Sequence, residues 1–255
     1  MLLDMKARKI RIGIIGLGRI APQHFDVAIR GNNEFELVAV CDIQQDKLER
    51  IASEQQVTAY SDYQQLINDP NVDVVTICTP NHLHLPMAKE VAAAGKHCIL
   101  EKPVTQTLQE TTELIELFHS AHCMLFPVLQ VRFSPTVKIL KDLMDTRGLG
   151  TLVSAAMVIR WTRPQKYYDE SKWRGSHALD GGSLLSQAIH YLDIMQYVLG
   201  KPRDIYASIK TMTLDIETED TAHALFEYES GLAVTFEFTV ATYPHNLECS
   251  LTLIG

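Results

Sequence analysis

The chain has 255 residues, 46% of them hydrophobic, and a formal net charge of −8 at pH 7. That is apolar material for a substantial core and length for one large domain or two smaller ones, of which two are expected. The acidic balance, with no basic cluster or aromatic-basic repeat, excludes nonspecific binding to nucleic acid, and no apolar stretch approaches the length of a membrane span.

Met1-Leu2-Leu3-Asp4-Met5 lacks the ordered regions of a signal peptide, so a soluble, cytoplasmic protein is expected. The apolar run from Ile10 then ends in Gly16-Leu17-Gly18-Arg19-Ile20-Ala21, which reads as a strand, a glycine turn and a helix start. Gly16 permits the sharp turn, Gly18 clears a side chain from the path of a pyrophosphate, and Ala21 allows the helix to pack closely on the strand. The helix, with Pro22 in its first turn, is expected to run to about Arg30 and to direct free N–H groups at an anion. A second strand, Leu37 to Cys41, ends at Asp42, where the fingerprint expects an acid for the adenosine ribose hydroxyls. Asp42 would repel a 2′-phosphate, which favours NAD over NADP as cofactor.

Strand and helix alternate from there. Leu48, Ile51 and Ala52 give Gln45–Gln55 an apolar helical stripe, and Ser61 is expected to cap a short helix bearing Tyr63, Leu66 and Ile67. Val74 to Cys78 reads as a strand covered on both faces, ending at Thr79-Pro80-Asn81. A helix with Met87 and Val91 runs to Gly95, and Cys98-Ile99-Leu100 is a strand ending at Glu101-Lys102-Pro103. Thr107 and Glu110 fit a capping box for a helix with Leu114, Ile115 and Phe118, before a strand at Met124-Leu125-Phe126. The pattern is a doubly wound α/β Rossmann domain over residues 1–126.

Ligands of such sheets lie beyond the carboxyl ends of the strands, so Gly16, Gly18, Arg19, Ile20, Asp42, Thr79, Pro80, Asn81, Glu101 and Lys102 are the candidate cofactor residues. A lysine at a loop mouth is ordinarily just solvated; the strand-end position opposite the glycine turn marks Lys102 as functional. His82 and His84 fit equally well as cofactor neighbours and as polar residues opening a helix, and His84 is carried as a cofactor candidate.

From about Val128 the pattern changes to strands of period two, which predicts an α+β domain over residues 127–255 with a mostly antiparallel sheet. Val234, Phe236 and Phe238 alternate with Thr235, Glu237 and Thr239, and Ile205 to Lys210 and Leu247 to Leu253 alternate likewise. The open face of such a sheet is expected to pack on another subunit, giving a homodimer or homotetramer. One helix, from about Ser183 to Leu199, interrupts the sheet with Leu184, Leu185, Ile189, Leu192 and Met195 as core contacts. Ser186, His190, Asp193 and Tyr197 share its polar face, expected to look into the ligand cleft. His190 alone reads as a satisfied histidine; beside a nicotinamide it becomes a candidate acid or base. Cys41, Cys78, Cys98, Cys123 and Cys249 lack metal-ligand spacing and read as buried reduced thiols, and no metal is expected.

Gly16 to Ala21, Thr79-Pro80-Asn81, Glu101-Lys102-Pro103, and Gly181-Gly182 through His190 and Asp193 resemble, in order and spacing, the glucose-fructose oxidoreductase/inositol dehydrogenase (GFO/IDH/MocA) superfamily over nearly the whole chain. The resemblance implies an NAD-dependent dehydrogenase acting on a sugar secondary alcohol, with Lys102 and His190 catalytic. Family members often carry Asp four residues before that histidine; Ser186 stands here, so a Lys-Asp-His constellation is not carried over. Trp161 to Tyr168, Trp173-Arg174-Gly175, Asp215 to Thr221 and Thr242 to Glu248 resemble, more narrowly, the branch that oxidises UDP-N-acetylglucosaminuronate at C3 in surface-polysaccharide synthesis. A UDP-uronate bears a diphosphate and a carboxylate, for which Arg132, Arg163 and Arg174 are the candidate partners, with Tyr168, Ser186 and Gln187 as further substrate contacts. Trp161, Tyr167 and Tyr168 fit stacking on uracil or sugar, and ordinary packing equally. Family members run on past Gly255, so a fragment or a shortened form is expected. Two rivals stay open: an inositol or free-sugar dehydrogenase, and a non-catalytic NAD-binding regulator, against which the retention of Lys102 and His190 argues.

Overall fold

The computed structural model describes residues 8–29 and 31–255. The reading of Met1 to Met5 and the expected helix end at Arg30 lie outside the described residues. The chain divides into two compact units between Val128 and Leu129, two residues beyond the expected boundary.

Six strands form the sheet of the first unit: β1 (Ile10–Ile15), β2 (Phe35–Cys41), β3 (Thr58–Tyr60), β4 (Val74–Ile77), β5 (His97–Leu100) and β6 (Leu125–Pro127). All pair in parallel, in the order β3-β2-β1-β4-β5-β6. The order reverses between β1 and β4, the switch point at which doubly wound sheets bind ligands. Because successive side chains point to opposite faces, Val75 and Ile77 join one core cluster with Val91 and Leu114, while Val74 joins the other with Ile14, Phe25 and Leu48. The covering helices are α1 (Gln45–Gln55), α2 (Tyr63–Asn68), α3 (His84–Ala93) and α4 (Leu108–Ser120).

Local chemistry explains most of the boundaries. The Thr107 hydroxyl accepts from the Glu110 N–H while the Glu110 carboxylate accepts from the Thr107 N–H, so the capping box opens α4 as expected. The cap of α2 is Asp62, which accepts from the Gln64 N–H, and not Ser61; the carboxylate is the stronger acceptor. Ile115 of α4 is exposed, with only Leu114 and Phe118 turned inward. After Ala21 and Pro22 the helix widens into a π-helical stretch, Gln23–Ile29.

The second unit holds β7 (Ser154–Arg160), β8 (Asp204–Lys210), β9 (Thr221–Glu227), β10 (Ala233–Thr239) and β11 (Glu248–Ile254), in the order β11-β7-β10-β9-β8. All neighbours are antiparallel except β7 and β10. Val234, Phe236 and Phe238 face the core with Met157 and Ile159. On the opposite face Arg160 spans three strands through ion pairs with Glu237 and Glu248. The edge strand β8 is exposed on both faces, Ile205 and Ile209 included, so its alternation does not mark a half-buried strand.

Three helices, not one, accompany this sheet: α5 (Pro135–Asp145), α6 (Gln165–Asp169) and α7 (Ile189–Leu199). α5 starts where Ser134 accepts from the Val137 N–H with Pro135 in the first turn, a start signal present in the sequence. α7 is preceded by a π-helical turn, Leu184–Ala188, which rotates the buried face. Ala188, Ile194, Met195 and Val198 are buried, Leu184 and Leu192 are half-buried but pack against the core as expected, and Leu185 and Ile189 are half-buried. Of the cysteines, Cys41, Cys78 and Cys98 are buried, and burial pushes the Cys41 thiol up to about 12. Cys123, in the turn before β6, is half-buried, and Cys249, on the edge strand β11, is exposed, correcting the expectation that all five are buried.

Candidate active site

In the first unit the carboxyl ends of β2, β1, β4 and β5 stand side by side. The Gly16 N–H donates to the Cys41 carbonyl, the Cys78 N–H to the Ile15 carbonyl, and the Glu101 N–H to the Ile77 carbonyl. Gly16 has φ +90°, and a Cβ there would lie 2.8 Å from the Cys78 carbonyl carbon and oxygen, so only glycine lets the turn cross the end of β4. A Cβ on Gly18 would meet nothing within 4 Å. The turn thus keeps open space where a pyrophosphate approaches, with Arg19 exposed beside it.

Asp42 is committed more deeply than a ribose ligand alone would be. Its carboxylate accepts from the N–H groups of Leu17 and Gln44, both at 2.8 Å, and pairs with the Lys47 ammonium at 3.2 Å. It braces the glycine turn from the neighbouring strand, and two oxygens retain room for further donors. Lys47 carries no motif signal in the sequence and emerges only from this contact.

The loop after β5 is held by two histidines. The Glu101 carboxylate is buried, with Oε1 2.8 Å from His24 Nε2 and Oε2 accepting from the Lys102 N–H at 3.2 Å. His24, in the π-helical stretch behind the glycine turn, was not among the residues read from the sequence. His84 is fully buried, with Nδ1 2.6 Å from the Pro103 carbonyl oxygen and Nε2 3.0 Å from the Thr79 carbonyl oxygen. Both ring nitrogens face backbone, so the structure corrects the reading of His84 as a direct cofactor contact: it joins the loops after β4 and β5. Asn81 is buried beside it, and Lys102 is half-buried. These groups, the open glycine turn and the acid at the end of β2 fit a dinucleotide.

In the second unit two guanidiniums flank one ring. The Arg174 Cζ lies 4.3 Å from the Tyr167 ring centroid and the Arg163 Cζ 5.6 Å from it, with Arg163 also 5.2 Å from Trp161. Arg163 donates from Nε to Gln187 Oε1 and from Nη1 to the Thr162 carbonyl; Arg174 donates from Nη1 to the Tyr167 carbonyl. Gln187 in turn donates to the Tyr167 hydroxyl. All these acceptors are neutral oxygens, so both charges are held in place and remain available to an anion.

Two substrate candidates are engaged otherwise. Arg132, in the 3₁₀ turn Gln130–Phe133, donates from both Nε and Nη2 to the Asp193 carboxylate and stacks on Tyr197. Its charge is compensated, and the Asp193 and Tyr197 positions of the polar stripe serve to hold it. Tyr168 is buried, its hydroxyl 3.3 Å from Ser183 Oγ and its phenol pushed up to about 12 by burial. Ser186 and His190 are both buried, four residues apart at the π-to-α junction. Among the described residues no group of three or more His, Cys, Asp or Glu side chains is placed to hold a metal, and no helix is long and apolar enough to cross a membrane.

Residues 10–128 match the family model described as "Oxidoreductase family, NAD-binding Rossmann fold", and residues 137–255 match "GFO/IDH/MocA C-terminal domain". Among solved structures, the WlbA dehydrogenase of Bordetella pertussis in complex with NADH and UDP-GlcNAcA superimposes with a TM-score of 0.92 at 34% identity, over 97% of this chain and 76% of that one. The corresponding WlbA complex from Chromobacterium violaceum gives 0.94 at 32% identity, over 100% of this chain and 74% of that one. By sequence, the myo-inositol 2-dehydrogenase of Thermotoga maritima is 29% identical over 87% of this chain, which spans 66% of that protein's length.

Proposed function

The chain belongs to the GFO/IDH/MocA family of oxidoreductases and carries its NAD-binding Rossmann domain; from that premise we propose that it is an NAD-dependent dehydrogenase of a sugar secondary alcohol, acting at C3 of a UDP-N-acetylhexosaminuronate. The observation that carries the substrate is the pair of guanidiniums, Arg163 and Arg174, held around the Tyr167 ring by hydrogen bonds to neutral oxygens, with no carboxylate partner among the described residues. Two fixed cations beside an aromatic face suit a ligand with a diphosphate, a carboxylate and a base, and have no use in binding neutral inositol. The likeness to WlbA dehydrogenases crystallised with UDP-GlcNAcA supports the same choice.

When bound, NAD supplies a hydride acceptor. The chain supplies the proton chemistry: the His190 imidazole takes the proton of the reacting hydroxyl as the carbonyl forms, and the Lys102 ammonium donates a hydrogen bond to that oxygen. Gly16, Gly18 and Asp42 hold the dinucleotide, and Arg163 and Arg174 fix the anionic end of the sugar nucleotide. We read the protein further as a cytoplasmic homo-oligomer, with the open face of the second sheet as the contact between copies.

The relation to a myo-inositol 2-dehydrogenase supports the rival substrate class, and binding separates the two. With NAD present, UDP-N-acetylglucosaminuronate is expected to raise the thermal midpoint, myo-inositol to leave it unchanged, and Arg174→Ala to abolish the rise. A rise with inositol alone overturns the nucleotide-sugar assignment.

A further inference from the structure

The geometry points to His84 as a positioning residue for Lys102: its Nδ1–H holds the Pro103 carbonyl and thereby fixes the backbone that carries the lysine. Three observations converge on this. His84 is fully buried, on the first turn of α3, and points away from solvent. Its two ring nitrogens lie 2.6 Å from the Pro103 carbonyl oxygen and 3.0 Å from that of Thr79, so one side chain bridges the two loops that end β4 and β5. Carbonyl oxygens only accept, and a neutral imidazole has a single N–H, so the shorter contact takes the proton and the longer one does not. On the other side of the lysine, its N–H is held by the Glu101 carboxylate, which His24 anchors. Lys102 is thus bracketed, its amide by Glu101 and the next residue's carbonyl by His84.

A reacting oxygen must meet the ammonium at hydrogen-bond distance, and a shift of about 1 Å costs on the order of a hundredfold in rate. A buried imidazole at position 84 holds that distance without touching ligand. The kinetic part of the test rests on the dehydrogenase reading above; the spectroscopic part does not.

Asparagine places an amide nitrogen near the position of Nδ1, and glutamine near that of Nε2, so asparagine restores the hydrogen bond to the Pro103 carbonyl and glutamine does not. Reductive ¹³C-methylation of the full chain, with the Lys102 signal assigned by its loss in Lys102→Arg, reports the lysine without any substrate. The signal is expected to move in His84→Ala and His84→Gln and to keep its place in His84→Asn. With UDP-N-acetylglucosaminuronate and NAD, kcat is expected to fall about 10- to 100-fold in His84→Ala and His84→Gln, with KM changing far less, and to stay within about threefold of wild type in His84→Asn. An unmoved Lys102 signal in folded His84→Ala overturns the inference, as does rescue by Gln where Asn fails. If His84→Ala does not fold, the contrast between Asn and Gln decides alone. If the wild type oxidises no UDP-uronate while the signals behave as stated, the dehydrogenase reading fails and the positioning role stands.

Discussion

Asp42 braces the glycine turn, whatever its part in the proposed ribose site. Its carboxylate holds the Leu17 and Gln44 N–H groups and is neutralised in part by Lys47. Removing it therefore has two effects. Asp42→Ala is expected to narrow the preference for NAD over NADP in calorimetry, because the charge facing a 2′-phosphate is gone, and to lower stability by about 1–3 kcal/mol through the lost acceptor. A variant with unchanged cofactor preference would remove Asp42 from the ribose site and leave it as a brace. His84 carries its own pH signature. Burial depresses its pKa, so the unfolded chain takes up the proton first. The stability contributed by the buried neutral ring is complete above about 6.5 and is lost as pH falls through the lower folded value. Melting midpoints between pH 8 and 5 are expected to fall less steeply in His84→Asn than in wild type; equal slopes would place the titration elsewhere.

Asp220 does for the second unit's hairpin what a cap does for a helix. Fully buried, it accepts from the N–H groups of Met212, Thr213 and Leu214, and these bonds outweigh burial to hold its carboxyl below the ordinary range. Asp220→Ala is expected to cost about 2 kcal/mol in urea unfolding, and Asp220→Asn less, since one acceptor remains; no loss in either would mean that water replaces the carboxylate. At this scale the sequence was legible wherever one local rule governs a segment. α1 has the expected bounds because its stripe is regular, and α4 the expected start because Thr107 and Glu110 are three residues apart. Legibility failed where two elements compete for the same residues. The π-helical turn Leu184–Ala188 shifts the phase of α7, which no 3.6-residue pattern reveals, and the buried set moves to Ile194 and Val198. β8 alternates as a half-buried strand does, yet an edge position leaves it exposed. The glycine turn and Asp42 were visible as a motif, whereas His24 and the true commitments of Arg132, Tyr168 and His84 depend on partners 15 to 77 residues away in the chain, which spacing cannot show.

For the whole molecule, an acidic chain with a net charge of −8 is proposed to bind two anionic ligands, and local cations are how it would do so. Lys102 belongs to the first unit, and Arg163, Arg174 and His190 to the second. The first unit is the NAD-binding Rossmann domain, and the anion site proposed above draws on the second. A non-catalytic NAD-binding protein would keep the first and have no chemical need for Lys102 or His190. The most direct test is NADH formation by the purified chain supplied with NAD and UDP-N-acetylglucosaminuronate, beside His190→Ala. The account predicts NADH with this substrate and none with myo-inositol, and a rate lower by about two to four powers of ten in His190→Ala with NAD affinity retained. No NADH from any alcohol while NAD still binds, or undiminished turnover in His190→Ala, would contradict it.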